Sequence, residues 1–198
     1  MTDKHFHGRG FETGTMPEDE QGRRSSKKSG GFLEFLIIFL VTFALVFGFV
    51  RPFVVEAFYI PTESMIPTLE VGDRVFVNKF VYRFAQPERG DVVVFKSVED
   101  GGDEELIKRI VGVPGDEIIV RNGVLFVNNE RWEESYVNSE LRDGSFFGPM
   151  TVPEGKVFVM GDNRGNSRDS RFFGPVPMEN IEGKAFVIFW PPSHVGLL

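Results

Sequence analysis

The chain has 198 residues and a formal net charge of −7. It contains no cysteine, which excludes disulfides, thiolate metal sites and a cysteine nucleophile. The acidic excess lies entirely after residue 50, because the first 50 residues carry six basic and six acidic side chains. Since this acidic part also lacks a basic patch, we expect no nucleic-acid partner.

Residues 1–31 form a polar tail that is rich in Gly, Ser and charged side chains and has no apolar period. This composition predicts disorder. His5 and His7 resemble a metal-binding pair. Two histidines in a disordered tail are usually not ligands, so we expect no metal there.

Residues 32–50 are almost wholly apolar. As a helix, such a run spans about 28 Å, close to the ~30 Å thickness of a bilayer's hydrocarbon core. A buried core helix would show a polar stripe, and this run has none. A cleavable signal peptide would be shorter and end in small residues, whereas this run ends in Val50-Arg51-Pro52. The pattern therefore predicts a transmembrane helix.

Basic residues indicate the orientation of this helix. Only Arg51 follows the apolar run closely, whereas four basic residues precede it. The preceding residues are Arg23, Arg24, Lys27 and Lys28. Positive charge favours the cytoplasmic side, so we expect the N-terminus in the cytoplasm and residues 51–198 across the bilayer.

Beyond the apolar run, the sequence changes to short segments rich in Val, Ile and Phe. The dipeptide Asn122-Gly123 separates two of them and is a strong hairpin signal. Many short strands with Gly and Pro between them predict an all-β sandwich or barrel. The strands expected from this pattern are 53–60, 74–77, 91–95, 117–120, 124–127, 156–160 and 185–190.

The first segment that is too polar for a strand, residues 60–69, contains Ser64. Pro61 and Pro67 restrict the backbone on both sides of it. A rigid turn that displays one hydroxyl suits a nucleophile, and Thr62 places a second hydroxyl nearby. A proline-flanked serine is also typical of an ordinary turn, so this segment alone leaves both interpretations open.

A serine nucleophile needs a base, which is usually histidine. The three histidines do not favour a Ser-His-Asp triad. His5 and His7 precede the apolar run, and His194 lies in a Pro-Pro-Ser-His tail. The remaining candidates for a base are a lysine and an N-terminal amine.

Residues 105–116 predict a strand followed by a turn. In a strand, Leu106, Lys108 and Ile110 share one face and Arg109 lies on the other. Burial among apolar neighbours lowers the pKa of a lysine toward neutrality, where its amine accepts a proton. The alternative is an ordinary lysine that extends its amine to water.

Residues 161–176 form a loop that is dense in Asp, Asn, Arg and Ser. Its only acidic side chains are Asp162 and Asp169, and three arginines lie among them, so the pattern does not favour a calcium loop. It favours a loop that is braced by its own ion pairs and side chain–backbone hydrogen bonds.

Four segments in this order after an apolar anchor, 60–69, 72–80, 105–116 and 161–176, resemble bacterial type I signal peptidase. That family removes signal peptides from exported proteins. The likeness extends from the apolar run to Trp190.

The resemblance implies a serine endopeptidase with a Ser/Lys dyad that acts through an acyl-enzyme. Ser64 corresponds to the nucleophile and Lys108 to the general base. The Ser64 backbone amide and the Thr62 hydroxyl correspond to the oxyanion donors. This hypothesis requires the two functional groups of the dyad to lie in hydrogen-bonding reach, and a separation beyond about 6 Å would contradict it.

The resemblance also implies supporting roles. Ser167 corresponds to a serine that orients the lysine amine, and Asp169 and Arg171 correspond to an ion pair that braces the site. Further apolar positions correspond to the lining of shallow pockets for small substrate side chains. These positions are Phe58, Ile60, Met65, Leu69, Val75, Leu106 and Ile107.

The fold that the resemblance implies is a mostly β catalytic core with an inserted β-rich lobe at 117–155, preceded by one transmembrane helix. The chain then divides into a disordered cytoplasmic tail (1–31), a membrane helix (32–50) and an extracytoplasmic catalytic domain (51–198). The implied substrates are preproteins that are cut after small residues. The implied location is the cytoplasmic (inner) membrane, crossed once, with the lipid bilayer as a partner. No cofactor is implied, and the sequence does not indicate an oligomeric state.

Two other functions use the same residues. A Ser/Lys self-cleaving repressor-type protease shares the chemistry, but the chain shows no pattern of DNA-binding helices and has an anchor. A membrane-tethered β-domain that only binds partners would make Ser64 and Lys108 ordinary turn and strand residues. The distance between those two side chains discriminates between an enzyme and a binding module.

Overall fold

The computed structural model describes residues 30–50, 54–99 and 104–198. Of the tail predicted to be disordered, all but the last two residues lie outside this part of the chain. Of the strand predicted at 53–60, residue 53 lies outside the described residues, and strand β1 covers Val55–Tyr59.

The apolar run forms helix α1 (Gly30–Leu45), which continues as a π-helical turn (Val46–Val50). The helix therefore begins two residues earlier than predicted and ends at the predicted residue. The segment Gly31–Gly48 has a mean hydropathy of 2.4, and none of it is buried. By length and composition it is able to cross a membrane.

The described residues after this helix are mainly β-strands. A single turn of α-helix, α2 (Ser170–Phe173), interrupts them. Short 3₁₀ turns occur at Val81–Arg83, Ser139–Leu141, Arg164–Asn166, Met178–Asn180 and Pro192–His194. The strands are β1 (Val55–Tyr59), β2 (Arg74–Asn78), β3 (Val92–Lys96), β4 (Glu105–Gly112), β5 (Glu117–Arg121), β6 (Val124–Val127), β7 (Glu130–Arg131), β8 (Phe147–Thr151), β9 (Lys156–Met160), β10 (Val176–Pro177), β11 (Ile181–Trp190) and β12 (Gly196–Leu197).

These strands form two antiparallel sheets. The larger has eight strands in the order β1-β2-β11-β3-β4-β9-β10, and β12 pairs with β11. The smaller has four strands in the order β7-β6-β5-β8. The fold is therefore mostly β, as the sequence predicted.

Strand β3 shows why a run of valines forms the centre of the larger sheet. Val92 and Val94 belong to one buried cluster, and Val93 and Phe95 belong to another. Alternate residues of a strand point to opposite faces, so both faces of β3 are covered. A continuous apolar run is the pattern that such a doubly buried strand requires.

The smaller sheet lies within residues 117–155, the segment predicted as an inserted lobe. Asn122 and Gly123 join β5 to β6 with φ angles of 50° and 72°. Two consecutive positive φ angles make a two-residue hairpin turn, as the dipeptide predicted. Ile118 of this sheet shares a buried cluster with Phe158 of the larger sheet, so the two sheets have a common core.

The strands that the sequence did not predict are the short or irregular ones. Strands β7, β10 and β12 have two residues each, too few for an alternating pattern. Strand β8 contains Gly148 and Pro149, both typical of turns. Pairing with neighbours in the sheets, rather than local propensity, makes these segments strands.

Glycine is required at position 183, where β11 carries a bulge opposite β3. A Cβ atom there would lie 2.5 Å from the carbonyl oxygen of Asn78. We expect Gly183→Ala to lower the free energy of unfolding by about 1–3 kcal/mol, because the backbone of β2 has to shift. Urea unfolding followed by circular dichroism measures this change. The matched control is Gly196→Ala, where a Cβ atom meets nothing within 4 Å; equal losses in both variants would contradict the explanation.

Candidate active site

Ser64 lies in the loop between β1 and β2. The Ile60 amide donates to the Asp73 carbonyl, and the Gly72 amide to the Ile60 carbonyl, each over 2.9 Å, which closes the neck of the loop. Met65 and Leu69 are completely buried, and they fix the loop to the core. The side chain next to these anchors, Ser64, is itself buried, with 7% of its surface exposed.

Lys108 is held by the centre of the larger sheet. Strand β4 pairs with β3 on one side and with β9 on the other, and Lys108 lies opposite Val93. Ile110 belongs to the same buried cluster as Val93, and the partly buried Leu106 packs against that cluster, so the lysine side chain has apolar neighbours on its own face. Only 3% of Lys108 is exposed, which excludes the alternative of an amine that extends to water.

The Ser64 and Lys108 side chains meet although 44 residues separate them in sequence. Lys108 Nζ lies 2.8 Å from Ser64 Oγ and donates to the Ile107 carbonyl over 2.9 Å. The first distance is well inside the limit of about 6 Å that separates an enzyme from a binding module. The arrangement places a hydroxyl and an amine in direct contact inside a buried site.

Burial lowers the pKa of Lys108 from its ordinary value of 10.5 to about 8. Removal of the charged amine from water is the largest cause, and the negative charges of Asp169, Glu104 and Asp162 partly oppose it. A lysine with this pKa is partly neutral near physiological pH, and a neutral amine accepts a proton. The site can therefore take the proton of a nearby hydroxyl.

Thr62 lies at the entrance to the site. Its Oγ1 is 3.3 Å from Ser64 Oγ, and the residue is exposed. A hydroxyl in this position can donate to an oxygen atom that approaches Ser64 from solvent. Its assignment as an oxyanion donor, together with the Ser64 amide, stays a prediction.

The loop that follows β9 holds the backbone of the Ser64 loop. The Asn163 amide donates to the Ser64 carbonyl and the Asn163 side chain to the Glu63 carbonyl, both over 3.1 Å. Gly161 packs so closely that a Cβ atom would lie 2.4 Å from the Ser64 carbonyl oxygen. The position of Ser64 therefore depends on a segment about 100 residues later in the chain.

Asp169 and Arg171 form a buried ion pair in the same loop. Arg171 Nε and Nη2 donate to the two carboxylate oxygens of Asp169 over 2.9 and 3.0 Å. Asp169 also accepts from the Gly161 amide over 3.0 Å and caps helix α2. Arg171 in turn reaches Asp143, which follows the smaller sheet's strand β7. The pair thus connects both sheets to Gly161, consistent with the self-braced loop that the sequence predicted.

Ser167 does not make the contact that the resemblance implied. Its Oγ is buried and has no hydrogen-bond partner among the described residues. The two hydrogen bonds of Lys108 Nζ go to Ser64 and to the carbonyl of Ile107 instead. Ser167 packs against Gly161, where a Cβ atom would lie 2.3 Å from its Oγ. Its role in orientation of the lysine stays a prediction.

Most of the residues predicted to line substrate pockets lie in the core. Only Leu106 lines the cavity next to Ser64. The others form one buried cluster on a face of the larger sheet, because strands β2 and β4 direct alternate residues inward. This cluster contains Ile60, Met65, Leu69, Val75 and Ile107, with Phe58 packed against it. Their contact with a substrate stays a prediction.

The cavity next to the two reactive side chains has a volume of about 260 Å³. Sequence reasoning did not identify half of its lining, because charged and amide side chains in loops are typical of any surface. Among the described residues, no group of three or more His, Asp or Glu side chains has the arrangement of a metal site. The lining is Thr62, Ser64, Glu99, Glu104, Leu106, Lys108, Asn166 and Arg168.

Two buried ion pairs beside the site also escaped the sequence analysis. Arg109 donates to both carboxylate oxygens of Asp162, with Nη2 2.7 Å from Oδ2. Arg164 is fully buried and donates to the equally buried carboxylate of Glu134 and, over 2.9 Å, to the Gly161 carbonyl. The only available signal was the density of arginines in the 161–176 loop, which does not identify their partners.

Comparison with known proteins gives a consistent set of relatives. The chain matches a family model described as signal peptidase, peptidase S26, over residues 32–190. It is 44% identical over 153 residues to a probable signal peptidase I-2 of Synechocystis sp., a match to 75% of this chain and 69% of that protein. It is 38% identical over 181 residues to signal peptidase I P of Bacillus subtilis subsp. natto, a match to 87% of this chain and 96% of that protein.

A crystal structure of a signal peptidase I from Enterococcus faecalis is also similar. The sequence identity is 34% and the TM-score 0.44, and the match covers 50% of this chain and 97% of that chain.

The buried pair between Glu134 and Arg164 yields a test of how the loop is held. Glu134→Gln removes the negative charge but keeps the shape of the side chain, so the Arg164 guanidinium is left without its counter-charge. We expect the free energy of unfolding to fall by about 3–5 kcal/mol. The measurement is urea unfolding of the chain in detergent. The adjacent Glu133 is exposed, so Glu133→Gln should change stability by less than about 0.5 kcal/mol. If both variants are equally stable, the ion pair does not hold the loop.

Proposed function

Because the chain belongs to the signal peptidase family, peptidase S26, we propose that it cleaves N-terminal signal peptides from exported preproteins. We propose that it cuts after small residues, by a Ser64 nucleophile and a Lys108 general base. The observation that carries this proposal is the 2.8 Å contact between Ser64 Oγ and the buried Lys108 Nζ. A membrane-tethered binding module would have no need of such a contact.

The first chemical step is acylation. Neutral Lys108 takes the proton of the Ser64 hydroxyl, and Ser64 Oγ attacks the carbonyl carbon of the scissile bond. The protonated lysine then gives this proton to the departing amine. The new N-terminus leaves, and the signal peptide stays attached to Ser64 as an ester.

Negative charge on the substrate oxygen develops during this attack. The Thr62 hydroxyl and the Ser64 amide are the proposed donors that stabilise it. The 3.3 Å separation of the Thr62 and Ser64 hydroxyl oxygens supports this role, since both groups then face the same small volume. Loss of one such donor typically lowers the rate by about 10²–10³.

In deacylation, Lys108 takes a proton from water and returns a proton to Ser64. A water molecule activated by Lys108 attacks the ester, and Ser64 recovers its proton from the lysine. The same amine therefore acts once as base and once as acid in each half of the cycle. A pKa of about 8 suits both roles, because neither protonation state is strongly favoured near neutral pH.

The apolar helix α1 is the proposed membrane anchor. The segment Gly31–Gly48, most of which is α1, supports a single span by its length, its mean hydropathy of 2.4 and its unburied surface. The basic residues before it support an N-terminus in the cytoplasm, which puts the catalytic domain (51–198) on the far side with its inserted lobe (117–155). Substrates that remain embedded in the same bilayer by their signal peptides would then be cut on that far side.

Substitution of the dyad tests the proposal. Ser64→Ala and Lys108→Ala remove the nucleophile and the base, so each should lower kcat/KM for a preprotein by about 10³-fold or more. The assay is cleavage of a preprotein with alanine before the cut, in detergent, with circular dichroism as a check on folding. Ser135→Ala and Lys156→Ala are the matched controls at positions away from the cavity. Undiminished cleavage by the folded Lys108→Ala variant would exclude the lysine as base.

The pKa of Lys108 sets the expected pH dependence. The neutral amine is the active form, and burial lowers its pKa from 10.5 to about 8. The value of kcat/KM should therefore rise as pH increases through about 8 and level off above it, because protonated Lys108 cannot accept a proton. The measurement is a pH–rate profile between pH 6 and about 10 under conditions where the chain stays folded. An increase centred near the ordinary pKa of lysine would show that the amine is not buried in the active form.

A further inference from the structure

The cavity beside Ser64 and Lys108 has two walls that come from separate parts of the chain. Glu99, Glu104 and Leu106 form one wall, on the segments that end β3 and begin β4. Asn166 and Arg168 form the other, on the loop that follows β9. The width of the cavity therefore depends on what holds these two walls together.

One ion pair joins the walls. Arg168 Nε donates to Glu99 Oε2 over 2.7 Å, and Arg168 Nη2 donates to the other carboxylate oxygen, so the contact is bidentate. The two residues are 69 positions apart in sequence. The hydrogen bond from Arg168 lowers the pKa of Glu99, so both side chains are charged at neutral pH. Bidentate pairing also fixes the relative orientation of the two groups.

The proton transfer decides which part of a substrate faces this pair. Lys108 has to return the proton to the departing amine, so that nitrogen must come within hydrogen-bonding distance of Nζ. The residue that carries the nitrogen is the first one after the cut. Lys108, Glu99 and Arg168 line the same cavity. A side chain of that residue that enters this cavity therefore meets the ion pair.

We propose that the Glu99–Arg168 ion pair determines specificity at the first residue after the cut, by limiting the cavity to small side chains there. This inference rests on the proposed function. It assigns to two residues that do not touch the reacting atoms a role in the choice of the residue that follows the cut. A bulky aromatic residue at this position has to displace the ion pair before its amine reaches Lys108.

The exposure of the pair makes this selection graded rather than absolute. The Arg168 side chain is 69% exposed and that of Glu99 36%. Exposed ion pairs contribute little to stability and weaken as salt increases. Bulky residues should therefore be cut slowly rather than excluded, and the preference should depend on ionic strength.

The experiment compares two peptides that differ only in the first residue after the cut, alanine or tryptophan. The full chain in detergent is assayed with both, and the quantity measured is the ratio of the two kcat/KM values. The variants are Glu99→Ala, Arg168→Ala and the double reversal Glu99→Arg/Arg168→Glu. The matched control is Lys96→Ala, which removes another ion pair with an exposed cation, Lys96–Glu182 at 3.2 Å, outside the cavity.

Each single variant should lower the preference for alanine over tryptophan by about tenfold. This factor is the low end of the discrimination that a pocket achieves against one additional methylene. The double reversal should restore most of the preference, because it rebuilds the pair with the charges exchanged. Addition of about 1 M salt, at which charges are screened within ~3 Å, should lower the preference of the unaltered chain but not that of Arg168→Ala. Lys96→Ala should keep the original ratio.

Two results would overturn the inference alone. The first is a ratio that stays unchanged in both single variants while the alanine peptide is cleaved. The second is a double reversal that remains as unselective as the single variants, because the charges would then not act as a pair. Failure of the unaltered chain to cleave either peptide would instead overturn the proposed function, and this inference with it.

Discussion

The contact between the Lys108 amine and the Ser64 hydroxyl is the interaction on which the other features of this molecule depend. A lysine is stable in a buried position only if its charge can be lost or compensated. Here the amine has two oxygen neighbours, Ser64 Oγ and the Ile107 carbonyl, and its pKa falls to about 8. The same burial that is costly for the charged form makes the neutral form available as a base.

Such a contact requires that strand β4, which carries Lys108, and the loop that carries Ser64 both keep a fixed position. Strand β4 is rigid because it pairs on both sides and is covered by side chains on both faces. The Ser64 loop has no such pairing, and it is held from outside by Gly161 and Asn163. Glycine at 161 leaves no space between the two backbones, so a shift of the later loop would move Ser64 directly.

The segment that contains the smaller sheet contributes charged side chains that stabilise this arrangement, and none of the proposed reacting groups. Glu134 reaches the buried Arg164, and Asp143 reaches Arg171, so two of the three arginines of the supporting loop have partners in the segment between β5 and β9. Buried arginines without such partners would carry a large desolvation cost. The inserted segment therefore supplies counter-charges to the loop that holds Ser64.

The sequence by itself determined the apolar helix, the mostly β fold, the Asn122-Gly123 hairpin and the choice of Ser64 and Lys108 as candidates. These features follow from local patterns: a long apolar run, alternation within strands, turn chemistry and the position of hydroxyls and amines. Only the tertiary structure decided which side chains meet. The strand pairing of β8 with β5, the Glu134–Arg164 pair and the Glu99–Arg168 contact all join residues distant in sequence. Which of these residues meet depends on how the sheets bring the loops together in space. A local sequence pattern carries no information about the distance between two such loops.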